Sequence, residues 1–200
     1  MTKNEISDRF KLNLDRVRNL VALYPAPGKG RRAVHHTDIL RAAIVLLHAT
    51  LEDLLRSYLI MSIENFSNDT MDSYGFHTEH KRVREKINIS ELLKYKGKTI
   101  DEFIIGSIQE RIERYETFND IGDVKNTLEK CGFPNPPVGN YNYTNMAKMI
   151  IRRHQIVHKA DKNVVASGRG NHQTASVSAF MVNLYIQAVQ NFKNYVAANW

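Results

Sequence analysis

The stretch that decides the fold is Ile39-Leu40-Arg41-Ala42-Ala43-Ile44-Val45-Leu46-Leu47-His48-Ala49-Thr50-Leu51-Glu52-Asp53-Leu54-Leu55-Arg56-Ser57-Tyr58-Leu59. Wound at helical pitch, its apolar side chains cover most of the circumference, and a helix that is apolar nearly all round must sit inside a shell of other helices. It therefore predicts a central helix. Thr37 is placed to cap its start, with Asp38 in the first turn where the helix dipole favours negative charge, and the pattern runs to about Asn65. The exceptions are Arg41, His48, Glu52 and Arg56, whose offsets of 0, 7, 11 and 15 put them on one side. A polar stripe on a buried helix needs partners from elsewhere in the fold.

Outward from this segment every strong periodic signal is again helical, and no run alternates like a strand between hairpin turns. An amphipathic segment over about 5–23 carries Ile6, Phe10, Val17, Leu20 and Val21, and ends before the loop Pro25-Ala26-Pro27-Gly28-Lys29-Gly30. Residues 66–89 read as a long connection with at most a turn of helix. Thr99, followed by Asp101 and Glu102, starts a helix to about Phe118 with Phe103, Ile104, Ile108 and Ile112 buried. A shorter helix over about 121–131 stops at Gly132, and Phe133-Pro134-Asn135-Pro136-Pro137-Val138-Gly139 enforces a break. Thr144 can cap the next helix, built on Met146, Met149, Ile150, Ile156 and Val157. A basic loop follows from Lys159 to Gln173. The last helix, about 175–198, places Val177, Phe180, Met181, Leu184, Ala188, Phe192 and Tyr195 on its core face. The expected fold class is all-α, a single-domain bundle of about five to six helices with long connecting loops.

Composition bounds what such a bundle does. Two hundred residues, 42% hydrophobic and 24% charged, suit one soluble globular domain. The apolar runs are too short to span a bilayer and the N-terminus lacks the apolar core of a secretory signal, so a cytoplasmic protein without membrane contact is expected. Cys131 is the only cysteine, which excludes an internal disulfide and a multi-cysteine zinc site. The net charge of +7 is polarised. Residues 145–175 carry six Lys or Arg (Lys148, Arg152, Arg153, Lys159, Lys162, Arg169) against Asp161 alone, whereas 99–131 carry eight acids against four bases. A locally basic region on a mixed surface favours a phosphate-rich partner.

Within that region lies Arg152-Arg153-His154-Gln155-Ile156-Val157-His158. Histidine can take or give a proton near neutral pH, and arginine offers a permanently charged fork to phosphate oxygens. Those are the groups that cleave RNA without a metal, by attack of a ribose 2′-hydroxyl on its own phosphate. On an ideal helix Arg153 and His158 stand about 140° apart, whereas His154 and His158 share a face. Either the arginine reaches round, or the helix bends or ends, or two copies meet across a dimer. A plainer reading makes Arg152 and Arg153 surface cations and the histidines helix-end residues favoured by the dipole. A metal reading would use His154 and His158 with His48 or Glu52, but no HExxH motif accompanies them. His35, His36, His77 and His80 read as loop residues. Glu52 can orient His158, pair with Arg153, or simply bridge to Arg56 at i+4.

Two of these segments together resemble the HEPN superfamily, in its RiboL-PSP-like HEPN branch. Arg153-His154-Gln155-Ile156-Val157-His158 fits that family's Arg-x4–6-His motif, and the helix from Ala42 to Arg56, acidic at Glu52, is similar to the branch's leading helix. Residues 66–98 lie outside the resemblance. It implies an α-helical bundle, usually a homodimer that joins both motifs in one cleft. The implied activity is metal-independent endoribonuclease action needing no cofactor and leaving a 2′,3′-cyclic phosphate and a 5′-hydroxyl. His158 would be the acid/base, Arg153 the phosphate clamp, His154 a polar helper and Glu52 an orienting carboxylate. Arg152, Lys159, Lys162, Arg169 and His48 would contact RNA. Many members act in toxin–antitoxin, abortive-infection or other defence systems, which implies an antitoxin or defence partner protein. Arg152 also fits the motif with five intervening residues, so the acting arginine stays open between the two, with Arg153 preferred.

Overall fold

The computed structural model describes residues 2–24, 34–74, 89–133, 141–162 and 174–199. Among them the chain is helical throughout. The helices are α1 (Lys3–Ala22), α2 (Val34–Ser62), α3 (Asn68–Tyr74), α4 (Ile89–Leu92), α5 (Ile100–Tyr115), α6 (Ile121–Lys130), α7 (Thr144–Lys159) and α8 (Ala179–Asn199). Single 3-10 turns follow α2 and α4. The only extended pairing among the described residues is an antiparallel bridge between Lys162 and Thr174. The all-α bundle expected from the sequence is what is found; the short helix α3 lies inside the stretch read as a connection, and the short helix α4 begins at its last residue.

α2 is the axis of the bundle. Leu40, Ala43, Ile44, Leu47, Leu51, Leu54, Leu55 and Leu59 are all buried, and α1, α5, α6, α7 and α8 each pack against this helix. Each such leucine contributes about 1.5–3 kcal/mol by leaving water. α1 lays Ile6, Phe10, Leu14 and Val17 on the axis, while α7 and α8 close it with Met146, Met149, Ile150, Val182, Ile186, Val189 and Phe192. α5, with four acids against two bases, and the charge-balanced α6 pack beside it through Ile108, Ile112, Val124 and Leu128.

Local signals fixed some ends and misplaced others. Thr99 caps α5 in a reciprocal box with Glu102, as its spacing predicts. Gly132, at φ +83°, supplies the left-handed turn that ends α6. Thr37, by contrast, lies inside α2, which begins at Val34, and its hydroxyl accepts from Arg41 Nη1 at 2.8 Å. Thr144 is likewise already helical, and its amide donates to Asn142 Oδ1 at 3.1 Å. α8 begins later than expected and is rotated: Tyr185, Ile186 and Val189 are buried, while Phe180, expected in the core, is 74% exposed. The loop 25–30, the proline break from Pro134 and the basic segment 163–173, with Arg169, lie outside the described residues, as do His77 and His80.

Candidate functional site

α7 carries the whole Arg-His segment, and its two arginines part company. Arg152 turns inward, where its Nη2 donates to Asp161 Oδ2 at 2.8 Å and to the carbonyls of Ala175 and Ser176 at 3.0 and 3.2 Å. Asp161 is 2% exposed and takes a second guanidinium, Arg41 Nε at 2.7 Å, from the central helix. Arg41 also reaches Asp38 at 2.9 Å and the Ala175 carbonyl at 2.9 Å. Two arginines from two helices thus hold one buried carboxylate and the strand-like segment after the basic loop. This bolt ties Asp161 to Ala175 and Ser176, aided by Ala175 N donating to Asp161 O at 2.9 Å.

The chain reaches the bolt through unusual backbone. Ala160 and Asp161 adopt left-handed conformations, φ 48° and 55°, with no glycine to relieve them. Each non-glycine residue there costs about 1–2 kcal/mol, and the charge-assisted bonds of Asp161 offset it. Arg152, expected among the RNA contacts, is thus committed to Asp161 and two carbonyls. Asp161 was overlooked in that role, although its being the one acid in a basic stretch was a usable signal.

Arg153 has no hydrogen-bond or ion-pair partner among the described residues, although it is only partly exposed. Its charge lies near enough to His48 to disfavour protonation there. Of the two arginines, Arg153 is the one without a hydrogen-bond or ion-pair partner among the described residues. On the exposed side of α7, His154 and His158 lie against each other in a tilted arrangement, with ring centroids 4.6 Å apart and planes at 43°. The helix continues through the motif and ends one residue after His158. Lys159 and Lys162 are exposed at that end.

His48 is 1% exposed and cannot contact RNA from where it stands, which corrects that expectation. Its Nε2 donates to the Phe118 carbonyl at 3.0 Å, because a carbonyl can only accept, and its Nδ1 faces Glu52 Oε1 at 3.7 Å. Burial, ahead of every other influence, lowers its proton affinity; Arg153 and Arg56 act the same way, and Glu52 and the Phe118 carbonyl oppose them. Glu52 also faces Arg56 Nη1 at 3.8 Å, and among the described residues it pairs with neither Arg153 nor His158. Arg56 in turn donates to the Glu116 carbonyl at 3.0 Å and covers the Phe118 ring. The polar stripe of α2 therefore splits. Arg41 secures the end of α7, while His48 and Arg56 secure the α5–α6 connection.

The arrangement offers a free guanidinium, two adjacent imidazoles and two lysines on one helix end. Among the described residues no three His, Cys, Asp or Glu side chains gather as a metal cluster, and no helix is long and apolar enough to cross a membrane. Comparison with protein-family models, curated proteins and solved structures gave no match.

Proposed function

We propose that this chain is a metal-independent endoribonuclease of the HEPN type. The observation that carries the reading is Arg153, a partly buried guanidinium with no protein partner among the described residues, on the same helix end as the exposed His154–His158 pair. Keeping an arginine unpaired beside a buried histidine is unfavourable for stability, and an anionic ligand would repay it. In the proposed reaction His158 removes the ribose 2′-proton, the 2′-oxygen bonds to phosphorus, and the 5′-oxygen leaves with a proton from a second imidazole. The products are a 2′,3′-cyclic phosphate and a 5′-hydroxyl. Arg153 holds the non-bridging oxygens, His154 is the neighbouring imidazole, and Glu52 acts through His48 and Arg56 rather than on substrate. Lys159 and Lys162 lead the RNA in. Because Arg153 and His158 do not share a face of α7, a homodimer that sets one copy's arginine against the other's histidines completes the site. RNA restriction in a toxin–antitoxin, abortive-infection or other defence setting, with a partner protein holding the activity in check, is the biological role we assign.

Purified protein should cleave RNA in EDTA and leave those end groups. His158→Ala should slow cleavage by about 10²–10⁴-fold, and Arg153→Ala by about 10²–10³-fold. Cleavage at the wild-type rate in both variants would overturn the assignment. The divergence of Arg153 and His158 also favours a second reading, a non-catalytic RNA- or nucleotide-binding module. Tight RNA binding with no product over hours would select it.

A further inference from the structure

We propose that His154 and His158 form a two-histidine site for a divalent transition-metal ion of the zinc, nickel or copper class, whose occupancy blocks RNA cleavage. The sequence His154-Gln155-Ile156-Val157-His158 has the spacing that places two imidazoles on consecutive turns of one helix face. α7 is continuous through it, and both rings are exposed, 4.6 Å apart between centroids. Neither ring has a hydrogen-bond or ion-pair partner among the described residues. Rotation about the side-chain torsions alone brings two such nitrogens onto one ion bonded at about 2.0–2.1 Å.

The surroundings select the ion and limit what it does. Imidazole suits zinc, nickel and copper, whereas magnesium and calcium want oxygen ligands. Asp161, the nearest acid in the chain, is held by Arg41 and Arg152, and His48 is buried with its Nε2 on Phe118. Among the described residues the site thus has two protein ligands, with the remaining positions left to water. Gln155 stands where zinc hydrolases of the HExxH class carry their general base, so a bound ion gains no catalytic partner from that motif. Arg153, Lys159 and Lys162 weaken the hold on any cation, which leaves only strongly imidazole-seeking ions as ligands. A ring whose lone pair is on a metal cannot accept a proton from a 2′-hydroxyl. The binding stands by itself; the inhibition rests on the ribonuclease reading.

The test uses untagged full-length protein and zinc chloride in a non-coordinating buffer above about pH 7, where a free imidazole is mostly neutral. The chain has eight histidines, so the site is read as a difference between variants. Calorimetric titration of wild type should show a zinc equivalent that is lost in His154→Ala and again in His158→Ala, with unchanged circular dichroism. Zinc at the concentration that fills this equivalent should stop wild-type RNA cleavage, and excess EDTA should restore it. Identical titrations for wild type and both variants would overturn the site. Undiminished cleavage with the equivalent filled would overturn the inhibition. A protein that binds zinc at this pair yet never cleaves RNA in EDTA keeps the site and refutes the ribonuclease reading alone.

Discussion

Arg152 and Arg153 are neighbours in sequence, yet one helical residue turns the chain by about 100°, and that rotation separates a structural arginine from an available one. Arg152 meets Asp161 and two carbonyls; Arg153, whose charge disfavours protonation of His48, stays unpaired among the described residues. His48 is the residue whose titration reports on this environment. Burial makes the folded protein reluctant to protonate it, so below about pH 6.5 the unfolded chain binds a proton the folded chain refuses. Stability is therefore full above that value and is lost as pH falls toward the folded-state value. One such group steepens the dependence by at most about 1.4 kcal/mol per pH unit. His48→Gln keeps a donor for the Phe118 carbonyl and removes the titration. Thermal melts between about pH 7.5 and 5.5 should show a shallower loss in the variant than in wild type. Equal slopes would mean that His48 is not the buried neutral group described.

At the scale of elements, the end of α7 is set by long-range charge rather than by a capping residue. Ala160 and Asp161 carry a turn that usually falls to glycine, and Arg41 and Arg152 hold it. Removing the carboxylate leaves two buried guanidiniums facing each other. Asp161→Ala should cost about 3–5 kcal/mol in urea denaturation, and Asp161→Asn clearly less, since asparagine tolerates the left-handed backbone and keeps an acceptor. A loss below about 1 kcal/mol for the alanine variant would place the cluster with ordinary surface pairs. The same pattern explains the misjudged ends of α2 and α7. Thr37 and Thr144 look like caps locally, but α2 continues to Val34 and Asn142 supplies the acceptor at α7. For α8 the apolar residues cover so much of the helix that periodicity left the buried face ambiguous, and packing against α2 and α7 chose Tyr185, Ile186 and Val189 over Phe180.

For the whole molecule the open question is how the free side of α7 is covered. Ile151 and Val157 are exposed beside His154 and His158, and Phe180 is exposed at the start of α8. If the proposed cleft is shared, light scattering should give a dimer at assay concentrations. Arg153→Ala and His158→Ala subunits, each inactive alone, should then recover part of the activity when mixed. A monomer at high micromolar concentration, with full RNA cleavage, would rule out the shared-cleft mechanism. Charge is also uneven along the chain, with residues 99–131 net acidic and residues 145–175 net basic.

The all-helical class, the central helix, the capping of α5 and the position of the Arg-His segment were legible because each depends on residues within a few turns of one another. Periodicity, propensity and caps are local quantities. Which arginine is free, what the polar stripe on α2 binds and why His48 is internal depend on partners 120 residues apart for Arg41 and Asp161 and 70 apart for His48 and Phe118. Spacing within one helix carries no information about such pairs. Only the packing of α2 against α7 and the α5–α6 connection brings them within hydrogen-bond range.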